Sequence, residues 1–316
     1  MLFVDQTFVL RSIRRFEVTL LSLTSLIQTN KVFQEMIRKV TPKAADFRSY
    51  NIDIPPFKNK VILADVNFTS YVSGLVRVAF QYLTCAMLAR KNRDSPIEAL
   101  NPLARRGYEV IHEFFSDVPV MEELTDLFTH FNDNWKAFIR GEDVLEDDLI
   151  HGIFMCSKLD TIYRLGVHST FTSPTEFVKQ FIYPPMPDVV DDLKLLRHIF
   201  ETHFPYQEGF PIKYHPVFDE GRRQVGGASA DFIMGDTLYD VKTNKKPGYN
   251  WKEAAELVAY YLLNQLEAQT YRIEKLAFYR ARFGVVEYVE IADLLNKYDM
   301  DQALDDLRKF NRGWRS

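Results

Sequence analysis

The stretch GGASADFIMGDTLYDVKTNKK (226–246) puts three charged side chains, Asp231, Asp240 and Lys242, among residues that are otherwise apolar and β-prone. Gly235-Asp236 suits a two-residue hairpin turn. That turn opposes Met234 to Thr237 and, in the same register, Asp231 to Asp240. Side chains alternate along a strand, so Ser229, Asp231 and Ile233 share a face with Leu238, Asp240 and Lys242. Opposed Cβ atoms lie about 4.5–5.5 Å apart, which sets two carboxylates side by side with an ammonium one step along. Carboxylates that close repel, and either one takes up a proton or a cation sits between them. Hard oxygen donors suit Mg2+ or Mn2+. A lysine beside a metal-bound water can orient it, or can stabilise negative charge developing on phosphorus. The chemistry expected of this trio is metal-dependent phosphodiester hydrolysis. The plainer alternative is a solvent-facing hairpin with an incidental Asp240–Lys242 ion pair.

The elements around the trio read as an α/β unit. An amphipathic helix over 188–204 presents Val189, Leu193, Leu196 and Phe200 on one face. A β-type run follows over 210–218, with Pro216 demoting its end to an edge or bulge. After the hairpin, Asn250 and Glu253 have capping-box spacing for a helix running to about 269. Segments 275–284 and 285–291 read as two strands, and a last helix spans about 292–310. The expected fold is α/β, a mixed central sheet flanked by helices and preceded by a large all-helical region. In that region, 68–91 carries Tyr71, Leu75, Val78, Ala79 and Tyr82 at helical spacing, and 120–141 and 146–166 repeat the texture. YPPMPD (183–188) breaks the run. The expected division is therefore a helical region over 1–185 and an α/β core over 186–316.

Composition narrows the function classes. The 316 residues are 47% hydrophobic and 26% charged, with a net charge of −4, which argues against a surface coated in positive charge for non-specific nucleic-acid binding. The two cysteines, Cys85 and Cys156, lie in apolar helical patterns and read as reduced core residues. His198, His203 and His215 lack two-histidine zinc spacing, although His215, just before the hairpin, can line the site. Neither a phosphate-binding Gly-rich Lys loop nor a nucleophile elbow occurs. No run of about 18 apolar residues marks a membrane span, and the N-terminus lacks a cleavable leader pattern. The expectation is a cytoplasmic protein with no membrane partner.

Asp231 followed by Asp240-Val241-Lys242 resembles the signature of the PD-(D/E)XK, or restriction-endonuclease-like, nuclease superfamily. GGASADFIMGDTLYDVKT also resembles a run common in a bacterial group of that superfamily, as do VSGLVRVAFQYL (72–83), SKLDTIYRLG (157–166), ELVAYYLL (256–263) and FYRARFGVVEYVEIADLL (278–295). The resemblance covers most of the chain. It implies a restriction-endonuclease-like core and a Mg2+-dependent nuclease, acting on DNA in preference to RNA, in anti-phage defence or DNA processing in prokaryotes. It also implies a further acid from the helix before the sheet, for which Glu201 is the candidate by position, with Glu208 and Glu220 as loop alternatives. The RecB-like branch has Gln-x-x-x-Tyr on the helix after the hairpin, and Glu256 and Tyr260 match those positions, with Glu replacing Gln. Ser229 is a second departure, standing where the related run usually has Asp.

Flanking cations are candidates for a phosphate backbone: Arg222, Arg223, Lys245 and Lys246 beside the hairpin, and Arg280 and Arg282 on the next strand. The strand pair suits a partner carboxylate equally well. Tyr249 and Trp251 suit base stacking or, more commonly, helix-start packing. The helical region would shape substrate access or bind a partner subunit. A binding or scaffold subunit without turnover, and a nuclease acting on RNA, remain as alternatives.

Overall fold

The computed structural model describes residues 22–50, 52–58, 60–165, 171, 173–218, 225–246, 248–266 and 270–312. In chain order it opens with α1 (Leu23–Thr29), α2 (Lys31–Arg38) and β1 (Arg48–Ser49). A helical stretch follows: α3 (Ser70–Asn92), α4 (Pro96–Ala99), α5 (Pro102–Phe115), α6 (Met121–Ile139), α7 (Glu146–Leu165) and α8 (Pro174–Ile182). Next come α9 (Pro187–His203), β2 (Ile212–Tyr214), β3 (Phe232–Met234), β4 (Thr237–Lys242) and α10 (Trp251–Leu266). The chain continues through β5 (Lys275–Arg280), β6 (Val285–Glu290), α11 (Ile291–Lys297) and α12 (Met300–Arg312).

The described residues fall into two compact units. One is Val66–His198, and the other joins Leu20–Asp65 to Ile199–Ser316. This differs from the boundary expected at 185/186. Residues 22–65 fold with the sheet, where β1 pairs with β6, and the division falls inside α9. The sequence did not reveal this because α1 and α2 have the same amphipathic texture as the helices that follow them.

In the helical unit, α3 starts at Thr69, whose hydroxyl accepts from the Val72 N–H at 3.3 Å, and stops at Arg93 in the left-handed conformation. By length and apolar content alone α3 would suit a membrane span. Most of that apolar stretch is buried within the protein, as befits a core helix. Cys85 and Cys156 are buried in apolar helices, as expected. Helices α5 and α7 approach so closely at Gly107 that an added Cβ would overlap the carbonyl of Leu159.

The second unit is built on a mixed sheet that, among the described residues, has the order β1-β6-β5-β4-β3-β2. Only the β4–β5 pair is parallel, because α10 carries the chain across between them. The hairpin register is the expected one, Phe232↔Tyr239, Ile233↔Leu238 and Met234↔Thr237, with Gly235 at φ +61° in the turn. Three expectations shift in detail. The run over 210–218 is a strand only across 212–214, because His215 adopts φ +46° ahead of Pro216, and an isolated bridge Val217↔Ser229 resumes the pairing. The strand after α10 ends at Arg280, where a 3₁₀ turn over Ala281–Phe283 begins. The C-terminal helix divides at Asp299, whose carboxylate accepts from the Gln302 N–H at 2.9 Å and starts α12 afresh.

The two faces of the sheet differ in kind. On one, Phe200 of α9 and Phe204 just after it pack with Phe232, Tyr239 and Tyr279 in an aromatic cluster with ring centroids 4.9–6.0 Å apart. On the other, α1, α2, α10 and α12 share a core with Ile233, Leu238, Leu276, Phe278 and Val289. By strand alternation Asp240 and Lys242 belong to this second face.

Two substitutions test this packing. Gly107→Ala drives a methyl group into backbone and is expected to lower the unfolding free energy by about 1–3 kcal/mol. The Tyr279 hydroxyl is buried with no hydrogen-bond partner among the described residues. Tyr279→Phe is accordingly expected to raise stability by about 1 kcal/mol. Urea denaturation measures both, and a less stable Tyr279→Phe variant would contradict the assignment of an orphaned hydroxyl.

Candidate functional site

The hairpin and α10 deliver the candidate side chains to one place. Asp231 directly precedes β3, and its Oδ2 accepts from the Val241 N–H at 2.6 Å, which pins that carboxylate to the neighbouring strand. All six residues of β4 are buried, so Asp240 (6% exposed) and Lys242 (7%) cannot be ordinary surface charges. The Lys242 Nζ lies 2.5 Å from Asp240 Oδ2 and 3.5 Å from Glu256 Oε2. Glu253, Glu256 and Tyr260 project from one face of α10 because they fall at i, i+3 and i+7. The Tyr260 hydroxyl donates to Ser229 O at 3.1 Å and also lies 3.4 Å from Glu256 Oε1. The same Oε1 accepts from the Thr24 hydroxyl of α1 at 2.6 Å.

Two carboxylates thus face one ammonium, and Asp231 lies within electrostatic range of Asp240. Burial pushes the Asp240 carboxyl up to about 7; Lys242 opposes the rise, and the negative charges of Asp231 and Glu256 add to it. Asp240 Oδ2 is in ion-pair range of Lys242, yet it is buried with no hydrogen bond of proper geometry. Buried carboxylate oxygens are hard donors of the kind that suits Mg2+ or Mn2+. Among the described residues no three acidic, histidine or cysteine side chains converge into a ready-made cation cage; the positive charge beside Asp240 is the lysine itself.

The other predicted residues part company with this group. Glu201 is exposed on α9, and Phe200 of that helix and Phe204 just after it pack on the opposite face of the sheet, so Glu201 is not brought to the trio. Glu208 is exposed in the following loop. Arg280 is 1% exposed and pairs with Glu253 at 2.8 Å and Glu287 at 3.0 Å, its guanidinium 4.6 Å from the Phe278 ring centroid. It therefore takes the carboxylate role and not the nucleic-acid role. Arg282 is buried too, donating to Thr243 O at 2.6 Å and Ala64 O at 3.2 Å. Neither arginine is placed to meet a phosphate backbone. Lys245 pairs with Asp65, and Lys246 is exposed beside the hairpin. Arg222, Arg223 and Glu220 lie outside the described residues. Tyr249 donates to Pro42 O at 2.7 Å and Trp251 lies under the Arg38 guanidinium at 3.8 Å, so both serve helix-start packing.

Sequence reasoning missed Thr24, Lys60 and Glu287. Lys60 and the Phe57 N–H both meet Glu287 Oε1, completing a buried row of charge next to the trio. His215 sits beside Asp231, its N–H donating to Asp231 O at 3.0 Å from a left-handed backbone. That conformation is costly for a residue with a side chain.

The Asp240 environment sets a pH dependence. An unfolded aspartate releases its proton near 3.8, whereas the folded protein holds it up to about 7. The folded state therefore binds the extra proton in that window, and the Asp240 contribution to stability falls as pH rises from about 4 to about 7. Asp240→Asn is expected to flatten this decline. Urea midpoints of wild type and variant at both ends of the window measure it, and identical slopes would refute it. No protein-family model, curated protein or solved structure matches the chain, so a functional reading rests on these side chains themselves.

Proposed function

We propose that the protein is a divalent-metal-dependent nuclease of the PD-(D/E)XK type that hydrolyses phosphodiester bonds of DNA. The observation that carries this reading is the burial of Lys242 against Asp240 and Glu256, with Asp231 held across the hairpin. Structural charges are seldom gathered three carboxylates to one ammonium inside a protein, because desolvation opposes it. Asp231, Asp240 and Glu256, which form no ready-made cage, would have to close on Mg2+ or Mn2+, which when bound polarises a phosphoryl oxygen and acidifies a coordinated water. Lys242 keeps a positive charge at the point where phosphoryl oxygens gain negative charge. Tyr260 ties α10 to the Ser229 carbonyl and so holds the loop that carries Asp231. In this reading Glu256 takes the place that position alone suggested for Glu201. A restriction-endonuclease-like core, the preference for DNA and a role in prokaryotic defence or DNA processing rest on the sequence resemblance.

Cleavage of plasmid, linear duplex, single-stranded DNA and RNA with Mg2+ or Mn2+ tests the reading. Asp240→Ala and Lys242→Ala are each expected to lose at least about 100-fold in rate. Equal cleavage by wild type and both variants would overturn the mechanism, and preferential cleavage of RNA would overturn the substrate. Metal-dependent binding without any cleavage would favour a non-catalytic subunit.

A further inference from the structure

We propose that α1 completes the site, with Thr24 as a positioning residue that fixes Glu256 for cation binding; this rests on the metal-dependent reading above. The Thr24 hydroxyl meets Glu256 Oε1 at 2.6 Å, the length of a charge-assisted O–H···O bond. The Tyr260 hydroxyl lies 3.4 Å from the same oxygen. Both donors address Oε1, while Oε2 faces the Lys242 ammonium at 3.5 Å. The two carboxylate oxygens are thereby sorted, one held by hydroxyls and the other turned toward the buried charge. A glutamine supplies its own amide donor at this place in the helix, but a glutamate needs donors from elsewhere to hold its orientation.

Helix α1 is itself held where this contact requires. Leu23, Leu26 and Ile27 are buried in the core shared with α10. Ser22 caps the helix by accepting from the Ser25 N–H at 3.1 Å. The Leu23 N–H donates to Gly227 O at 3.0 Å, and Lys252 of α10 donates to Gln28 Oε1 at 2.7 Å. Gly227 lies in the loop that carries Ser229 and Asp231, and Ser229 O accepts from Tyr260. One short helix thus touches the loop before the hairpin, the helix after it and the carboxylate between them. Thr24 is exposed, so its hydroxyl adds little to the core, and its removal should act on the site while sparing the fold.

The test is calorimetric titration of the full chain with Mn2+, comparing wild type, Thr24→Val and Thr24→Ser, with metal-free melting temperatures alongside. Thr24→Val is expected to weaken Mn2+ binding by about 10-fold or more, as losing the partner of a metal ligand does. Thr24→Ser should restore binding, and metal-free melting should stay within about 2 °C for all three. Wild-type affinity in Thr24→Val would overturn the role of Thr24 and leave the metal site standing. A wild type that binds no Mn2+ would overturn both. Weaker binding that serine does not rescue, accompanied by a lower melting temperature, would assign Thr24 to folding alone and overturn the proposal.

Discussion

The ammonium of Lys242 is the charge around which the sheet unit is organised. A lysine buried beside one aspartate would be a neutral pair. Here it also faces Glu256, and Asp231 adds a third carboxylate within electrostatic range of Asp240. The surrounding apolar core, with Phe278 under the lysine at 5.9 Å, leaves water little access to screen these charges. The result is a cluster in which no proton or cation can be moved without changing its neighbours.

A second cluster lies next to the first and has the opposite character. On the parallel pair of strands Lys242 stands beside Arg280, and Arg280 is paired on two sides with Glu253 and Glu287. Lys60 completes a balanced set of two cations and two anions. Glu253 and Glu256 lie one turn apart on α10, yet one belongs to the balanced set and the other to the set with excess negative charge. The balanced set fixes α10 against the sheet, and that anchoring aligns Glu256 with Lys242.

Much of this was legible in the sequence, for identifiable reasons. A Gly-Asp turn admits few hairpin registers, so the opposition of Asp231 and Asp240 followed from counting. Glu256 and Tyr260 came from the resemblance to the RecB-like Gln-x-x-x-Tyr pair, and helical periodicity put them on one face. Glu201 is not brought to the trio, and local periodicity bore on this: Phe200 of α9 and Phe204 just after it face the sheet, whereas Glu201 is exposed. Arg280 and Arg282 could not be placed from local pattern, because their burial depends on carboxylates and carbonyls from distant segments. Thr24 was beyond reach, since an isolated threonine in a short amphipathic helix carries no mark of the glutamate it will meet.

Thr24 and Glu256 are 232 positions apart, and the whole of Val66–His198 is inserted between the two parts of the unit that contains them. During synthesis, the inserted helices emerge long before β4 and α10 and can pack on one another locally, at low loop-closure cost. The early segment 22–65 has no sheet to join until β2 to β6 have emerged. The carboxylate cluster therefore comes together only after α10 has been made. An unfinished chain would carry a folded helical unit without the assembled charge cluster.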